Sequence, residues 1–187
     1  AVTDAMSSGI PIIAIDTGVS GAEVTSFVAT DNYAVAKVQG AVAATLVNDG
    51  DTVIYVTGNQ AQSTGQERRN GFMEAFSAAR PGSKILEVPT EWNSQQAQEG
   101  VEAVLNSNSD VKMVVNAWDG GTMGAKAALE NLGYGAGDVK LVGFDGASDA
   151  IAAMDEGWVH ADTAQMLYQM GYQGIKAAAA AARGETV

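Results

Sequence analysis

Val111-Lys112-Met113-Val114-Val115-Asn116, then Ala117-Trp118-Asp119, and later Lys140-Leu141-Val142-Gly143-Phe144-Asp145-Gly146, are the segments whose reading decides the fold. Each opens as a short apolar run and closes on polar or turn-forming residues, the pattern of a strand buried on both faces of a parallel sheet. Between them the residues from Gly120 to Leu132 carry helical apolar spacing, and Gly133-Tyr134-Gly135-Ala136-Gly137-Asp138 reads as a helix-to-strand turn. Strand, helix, strand in this order is a βαβ unit, whose crossover is right-handed.

The alternation continues on both sides. Upstream lie an apolar run, Ile10 to Asp16, with Pro11 near its start, and an extended segment from Val24 to Thr30. Asp31-Asn32 then caps a helix from Tyr33 to Val47. A strand from Thr52 to Thr57, a helix from Thr64 to Ala79 stopped by Pro81, a strand from Lys84 to Val88 and a helix from Ser94 to Leu105 come next. Downstream are a helix from Ser148 to Met154, a strand from Trp158 to Asp162 and a long helix from Leu167 to Arg183. Strands alternating with helices define the α/β class with a doubly wound parallel sheet.

Composition narrows the function. The 187 residues hold 22 acidic and 10 basic side chains, a formal charge of −12, which disfavours a nucleic-acid partner because phosphate binding needs a basic surface. Cysteine is absent, so no disulfide frame or thiolate metal site exists. The alanine run from Ala177 to Ala182 is too short to cross a bilayer and is flanked by Lys176 and Arg183. No basic, apolar leader opens the chain, and Ala1 to Met6 reads as a helix already under way.

In an open parallel sheet ligands gather at the carboxyl ends of the strands. The residues found there are Asp16, Trp92, Trp118, Asp119, Asp145 and Gln165. Carboxylates accept pairs of hydroxyl donors, and indole rings pack on the C–H faces of sugars, so the set suits a polyhydroxylated molecule. Asp16 can alternatively cap the turn at Thr17-Gly18, and Trp92 can alternatively belong to the core. Asn59, Gln60, Gln62 and Ser63 follow a strand and are also placed to line a cleft. No dinucleotide fingerprint, nucleophile elbow or metal cluster is present, and Gly58 to Gly65 lacks the Gly-Lys-Ser/Thr of a phosphate loop. The single His160, within a strand, reads as structural, and Met166 and Met170 read as core filler. The expectation is a binder without a cofactor, not an enzyme.

The order of motifs resembles the type I periplasmic sugar-binding proteins, such as those for ribose and galactose. The segments that carry the resemblance are Ser8 to Asp16, Thr30-Asp31-Asn32, Glu67-Arg68-Arg69-Asn70-Gly71-Phe72, Trp92-Asn93, Val142 to Gly146, Ala164-Gln165 with Gly171, and Arg183-Gly184-Glu185. Together they span nearly the whole chain. The resemblance implies two α/β lobes closing on a sugar or polyol, which an ABC transporter permease then receives. It makes residues 31 to 165 the C-terminal lobe, and residues 1 to 30 with 166 to 187 part of an incomplete N-terminal lobe. About two upstream βα units of ~30 residues each are then expected beyond this segment, with a final hinge strand after Val187 and an exported, periplasmic or extracellular location. By the same resemblance Asp16, Asp145 and Gln165 match ligand-binding positions, and Trp92 an aromatic platform. Gln66 stands where relatives often have a ligand-binding Arg, and its amide is expected to bind a neutral ligand there. Arg68 is expected to pair with acidic neighbours or to lie on the surface. Trp118 replaces the family's usual Asn before Asp119, so either the ligand is smaller or the indole turns away. The alternative reading is the effector-sensing domain of a LacI-type regulator, which shares the fold.

Overall fold

The computed structural model describes residues 1–187 as two parallel sheets flanked by helices. A short N-terminal helix, α1 (Val2–Ser7), precedes β1 (Ile13–Ile15) and β2 (Ser26–Val28), which pair in parallel as a small sheet. The second sheet holds β3 (Thr52–Val56), β4 (Lys84–Val88), β5 (Val111–Asn116), β6 (Lys140–Asp145) and β7 (Val159–Ala164) in the order β4-β3-β5-β6-β7. Its helices are α2 (Asn32–Thr45), α3 (Ser63–Ala79), α4 (Ser94–Ser107), α5 (Asp119–Asn131) and α6 (Ser148–Asp155). α7 (Leu167–Ala182) crosses back to pack on β1 and β2.

The central strands explain the order. Every residue of β3 is buried, and β5 and β6 bury Met113, Val114, Val115, Leu141 and Val142, so both faces need helical cover. The chain runs outward from β3 to β4 and then returns to the other side of β3 to build β5. The strand order therefore reverses between β3 and β5, and the crevice above that reversal is where open α/β sheets bind ligands. α2 is tied to this end of the sheet: the buried Gln39 donates from Nε2 to the carbonyls of Asn116 and Gly143, each at 2.9 Å.

The elements expected from sequence are present, with local differences. β1 begins at Ile13 rather than Ile10, since Gly9 has φ +78°, Pro11 has no N–H, and the Ile12 amide is taken by Thr25 Oγ1 at 3.0 Å. β7 runs on to Ala164, which brings Gln165 directly above the sheet edge. Asp31 caps α2 by accepting the Ala34 amide at 3.0 Å, as expected. Met166 is not core filler: it is 73% exposed at the start of α7, on the small sheet's side of the chain. Phe27, Tyr168, Tyr172 and Ile175, all on β2 or α7, are also exposed.

Candidate functional site

A cavity of about 280 Å³ opens at the carboxyl ends of the strands, between the small sheet and the large one. Asp16 enters it directly after β1, Asp145 ends β6, and Gln165 follows β7. Trp92 and Trp118 line it from the segments after β4 and β5. With Gln62, which lines it too, six of the residues expected at a cleft from sequence meet in this one.

The backbone marks the same place. Only three non-glycine residues have positive φ: Asp16 at 71°, Trp92 at 58° and Asp145 at 132°. Such conformations cost an L-residue about 1 to 3 kcal/mol each and persist where the surrounding structure enforces them, commonly at functional sites. All three line this cleft.

Asp145 organises the polar side. Its Oδ1 accepts from Arg68 Nη1 at 3.0 Å and from Gln165 Nε2 at 2.6 Å, and its Oδ2 faces the Asp119 amide at 3.4 Å. Arg68 also donates to Asn32 Oδ1 at 2.8 Å and to the Ala117 carbonyl at 2.7 Å, with its guanidinium 4.0 Å from the Phe144 ring centre. Burial pushes the Asp145 carboxyl above its ordinary range, against the pull of Arg68 and Gln165. Two bonds bridge the small sheet's segments to the large sheet's: Thr30 Oγ1 donates to Gln165 Oε1 at 2.6 Å, and the hydroxyls of Thr17 and Thr64 meet at 3.0 Å. Thr17 Oγ1 also lies 2.9 Å from Asp16 Oδ2, so Asp16 has a turn partner as well as a cleft position.

The indoles form the opposite wall. Trp92 and Trp118 meet edge to face with ring centres 5.3 Å apart. Trp92 donates its Nε1–H to Gln62 Oε1 at 2.6 Å. Gly58 makes room for this ring, because a Cβ there would lie 2.0 Å from Trp92 Cη2. Trp118, 9% exposed, does not turn away from the cleft.

Asp119 lies beneath the cleft rather than in its lining, 2% exposed at the start of α5. It accepts the Ala147 amide at 2.7 Å and the Phe144 amide at 3.2 Å, which locks the turn that presents Asp145. Asp162 faces it across Gly143: a Cβ on Gly143 would be 2.6 Å from Asp119 Oδ1 and 3.2 Å from Asp162 Cγ. Both carboxyls are driven upward by burial first, Asp119 to about 7 with the charges of Asp162 and Asp145 adding to the effect.

Gln66 lies outside the cleft, exposed, with its amide donating to the Gln60 carbonyl at 2.8 Å. The reason is helical geometry. α3 buries Thr64, Arg68, Phe72 and Phe76, one residue in every four, and a residue two positions from Thr64 faces elsewhere. Arg68 does pair with an acidic neighbour, Asp145, but is 3% exposed rather than on the surface and lines the cleft; Gln62 lines it as expected, and Thr17 and Thr64 line it without having been singled out. Counting back in fours from Phe76 and Phe72 would have brought Arg68 and Thr64 inward. His160 sits far from this site, bonded among Lys140, Trp158 and Leu141.

Residues 1–186 match the family described as periplasmic binding protein domain, and the chain belongs to that family. Across all 187 residues it is 32% identical to the ribose import binding protein RbsB of Escherichia coli, and over 183 residues 31% identical to the D-allose-binding periplasmic protein of the same organism. It covers 62% and 58% of their respective lengths, and so spans less than two thirds of these relatives. Two solved ABC transporter solute-binding proteins share the fold over the whole chain. One from Mycobacterium smegmatis, with bound glycerol, has a TM-score of 0.89 at 30% identity; one from Agrobacterium vitis, with bound D-fucose, has 0.91 at 25%. The chain covers 64% and 65% of those two proteins. These relatives are transport binding proteins rather than enzymes, and they do not favour the regulator reading.

Proposed function

We propose that this chain is the greater part of an exported solute-binding protein that holds a sugar or small polyol in the cleft and delivers it to an ABC transporter permease. In this reading residues 31–165 form one lobe, while residues 1–30 and 166–187 contribute to the other, and the lobes close on the ligand by hinge motion. Asp16, Asp145 and Gln165 take its hydroxyls, Arg68 holds the Asp145 carboxylate in place, and Trp92 and Trp118 pack against its C–H surface. Asp119 supports Asp145 from below. The relatives solved with glycerol and with D-fucose point to small polyhydroxylated ligands.

The observation that carries the reading is the convergence of all three positive-φ residues, an acid–guanidinium–amide network and two indoles on one crevice above the strand-order reversal. The family's periplasmic setting fits a protein with no helix long and apolar enough to cross a membrane. A thermal-shift screen of the full-length protein against pentoses, hexoses and polyols tests it, because a ligand bound to the native state raises the melting temperature by mass action. Stabilisation by at least one such compound is expected. A flat response across the panel at millimolar concentration would remove sugar and polyol binding.

A further inference from the structure

Two residues that take no part in lining the cleft complete the network around Asp145. Thr30 follows β2 and Gln165 follows β7, so they stand where the chain passes from the small sheet to the large one and back. Thr30 Oγ1 donates to Gln165 Oε1 and Gln165 Nε2 donates to Asp145 Oδ1, each at 2.6 Å. Asp145 Oδ1 also accepts from Arg68 Nη1 at 3.0 Å. Arg68 Nε donates to Asn32 Oδ1 at 2.8 Å, and Asn32 Nδ2 donates to the Thr30 carbonyl at 3.1 Å. The five residues form a closed ring of hydrogen bonds. Asp145, Arg68 and Gln165 line the cleft; Thr30 and Asn32 do not. Chemistry fixes the direction of every bond, because a guanidinium only donates while a carboxylate and a carbonyl only accept. The buried Asn32 amide, set between Arg68 and the Thr30 carbonyl, satisfies both in one orientation alone. The Gln165 amide is fixed in the same way: Nε2 must face Asp145, which leaves Oε1 to the Thr30 hydroxyl.

We propose that Thr30 and Asn32 are positioning residues for the ligand-binding groups: Thr30 holds the Gln165 amide, and Asn32 the Arg68 guanidinium, in the orientations that present Gln165 and Asp145 to the ligand. This rests on the sugar- or polyol-binding reading above. Without the Thr30 hydroxyl, Gln165 Oε1 loses its partner in the protein and the amide is free to swing away from Asp145. Without the Asn32 amide, a guanidinium that is almost wholly buried loses its Nε acceptor, and its hold on Asp145 shifts. Either change raises the ordering cost of binding without removing a ligand contact. The loss of one such hydrogen bond corresponds to about threefold to tenfold in affinity.

The test is calorimetric titration of the full-length protein with D-ribose, D-allose, D-fucose and glycerol, the tightest binder then being carried through the variants. Thr30→Val, which keeps the shape of the side chain and removes its hydroxyl, is expected to weaken binding about threefold to tenfold. Thr30→Ser, which restores the hydroxyl, should bind within about twofold of wild type. In a Gln165→Ala background Thr30→Val should cause no further loss, since the hydroxyl then has no amide to hold, whereas a general packing role would persist. Asn32→Asp sets a second carboxylate beside Arg68 and removes the donor to the Thr30 carbonyl, at a helix start where an acidic residue is well accommodated. It should weaken binding by at least as much as Thr30→Val. If Thr30→Val binds as wild type does, or loses the same factor with and without Gln165, the assignment to Thr30 is overturned although sugar binding stands. Wild-type affinity in Asn32→Asp would overturn the assignment to Asn32. Absence of binding to every sugar and polyol offered would remove the underlying function and this inference with it.

Discussion

Arg68 Nη1 lies 3.0 Å from Asp145 Oδ1, with the Arg68 side chain 4% exposed and the Asp145 side chain 23% exposed. The cation is thus sealed within the large sheet's lobe while the anion remains open to the cleft. A carboxylate held this way is fixed in orientation by the protein itself, and its remaining acceptor capacity faces the cleft. Pre-organisation of this kind lowers the ordering cost of binding.

Asp145→Asn should weaken binding of the cognate sugar by about 2 kcal/mol, since hydrogen bonds to a charged acceptor contribute about 1.5 to 3 kcal/mol. Calorimetry on the full-length protein reads the loss. An affinity within twofold of wild type would remove Asp145 from the contacts.

Arg68→Ala is expected to destabilise the fold as well as the site. The substitution strips Asn32 Oδ1 and the Ala117 carbonyl of a buried donor, and an unsatisfied buried polar group costs about 1 to 3 kcal/mol. Denaturant unfolding should show a shift of that order. Arg68→Ala with unchanged stability would mean that Asn32 and the Ala117 carbonyl find other donors.

Gly58→Ala should act through Trp92. A methyl group 2.0 Å from Cη2 forces the indole out of its seat, so the variant should lose ligand affinity about as much as Trp92→Ala does. The two changes are expected to be strongly non-additive in a double-mutant cycle, since both remove the same platform. Full additivity would place Trp92 outside the binding wall.

The Asp119–Asp162 pair gives a pH dependence with a definite sign. Both carboxyls have native-state pKa values raised above the ordinary Asp value, Asp119 to about 7, so the native state binds more protons than the unfolded chain through the acidic range. The favourable contribution of Asp119 is fully present below an unfolded Asp pKa of about 4 and is lost as pH rises through about 7, and Asp162 shifts in the same direction. Asp145 titrates in the same direction and adds to the trend. Asp162→Asn, which can donate to Asp119 without a second negative charge, should flatten the fall in melting temperature between pH 5 and pH 8 and raise it at pH 8. An unchanged profile would show that the charge of Asp162 does not act on the Asp119 carboxyl.

Much of this architecture is legible in the residue pattern, because buried parallel strands such as Thr52 to Val56 read as unbroken apolar runs. The strand-end rule brought Asp16, Trp92, Trp118, Asp145 and Gln165 to one crevice without any knowledge of how the strands are ordered. What it missed followed from helical phase. Arg68 and Gln66 differ by two positions on α3, and only the phase set by Phe72 and Phe76 tells which faces inward. Asp119 was legible as a strand-end acid, but its burial depends on β6 and β7 closing over it, a long-range contact that no local pattern encodes. The orientation of Trp118 depends in the same way on Gly120 and Gly121 of the following turn.

The central claim, that the Asp145 cleft holds a sugar or polyol, is tested most directly by titrating the full-length protein, its Asp145→Asn variant and its Gln66→Ala variant with the best ligand from the thermal-shift screen. The account predicts micromolar or tighter binding by wild type, a loss of about 2 kcal/mol for Asp145→Asn and no change for Gln66→Ala. Equal affinity in wild type and Asp145→Asn, or a large loss confined to Gln66→Ala, would contradict it.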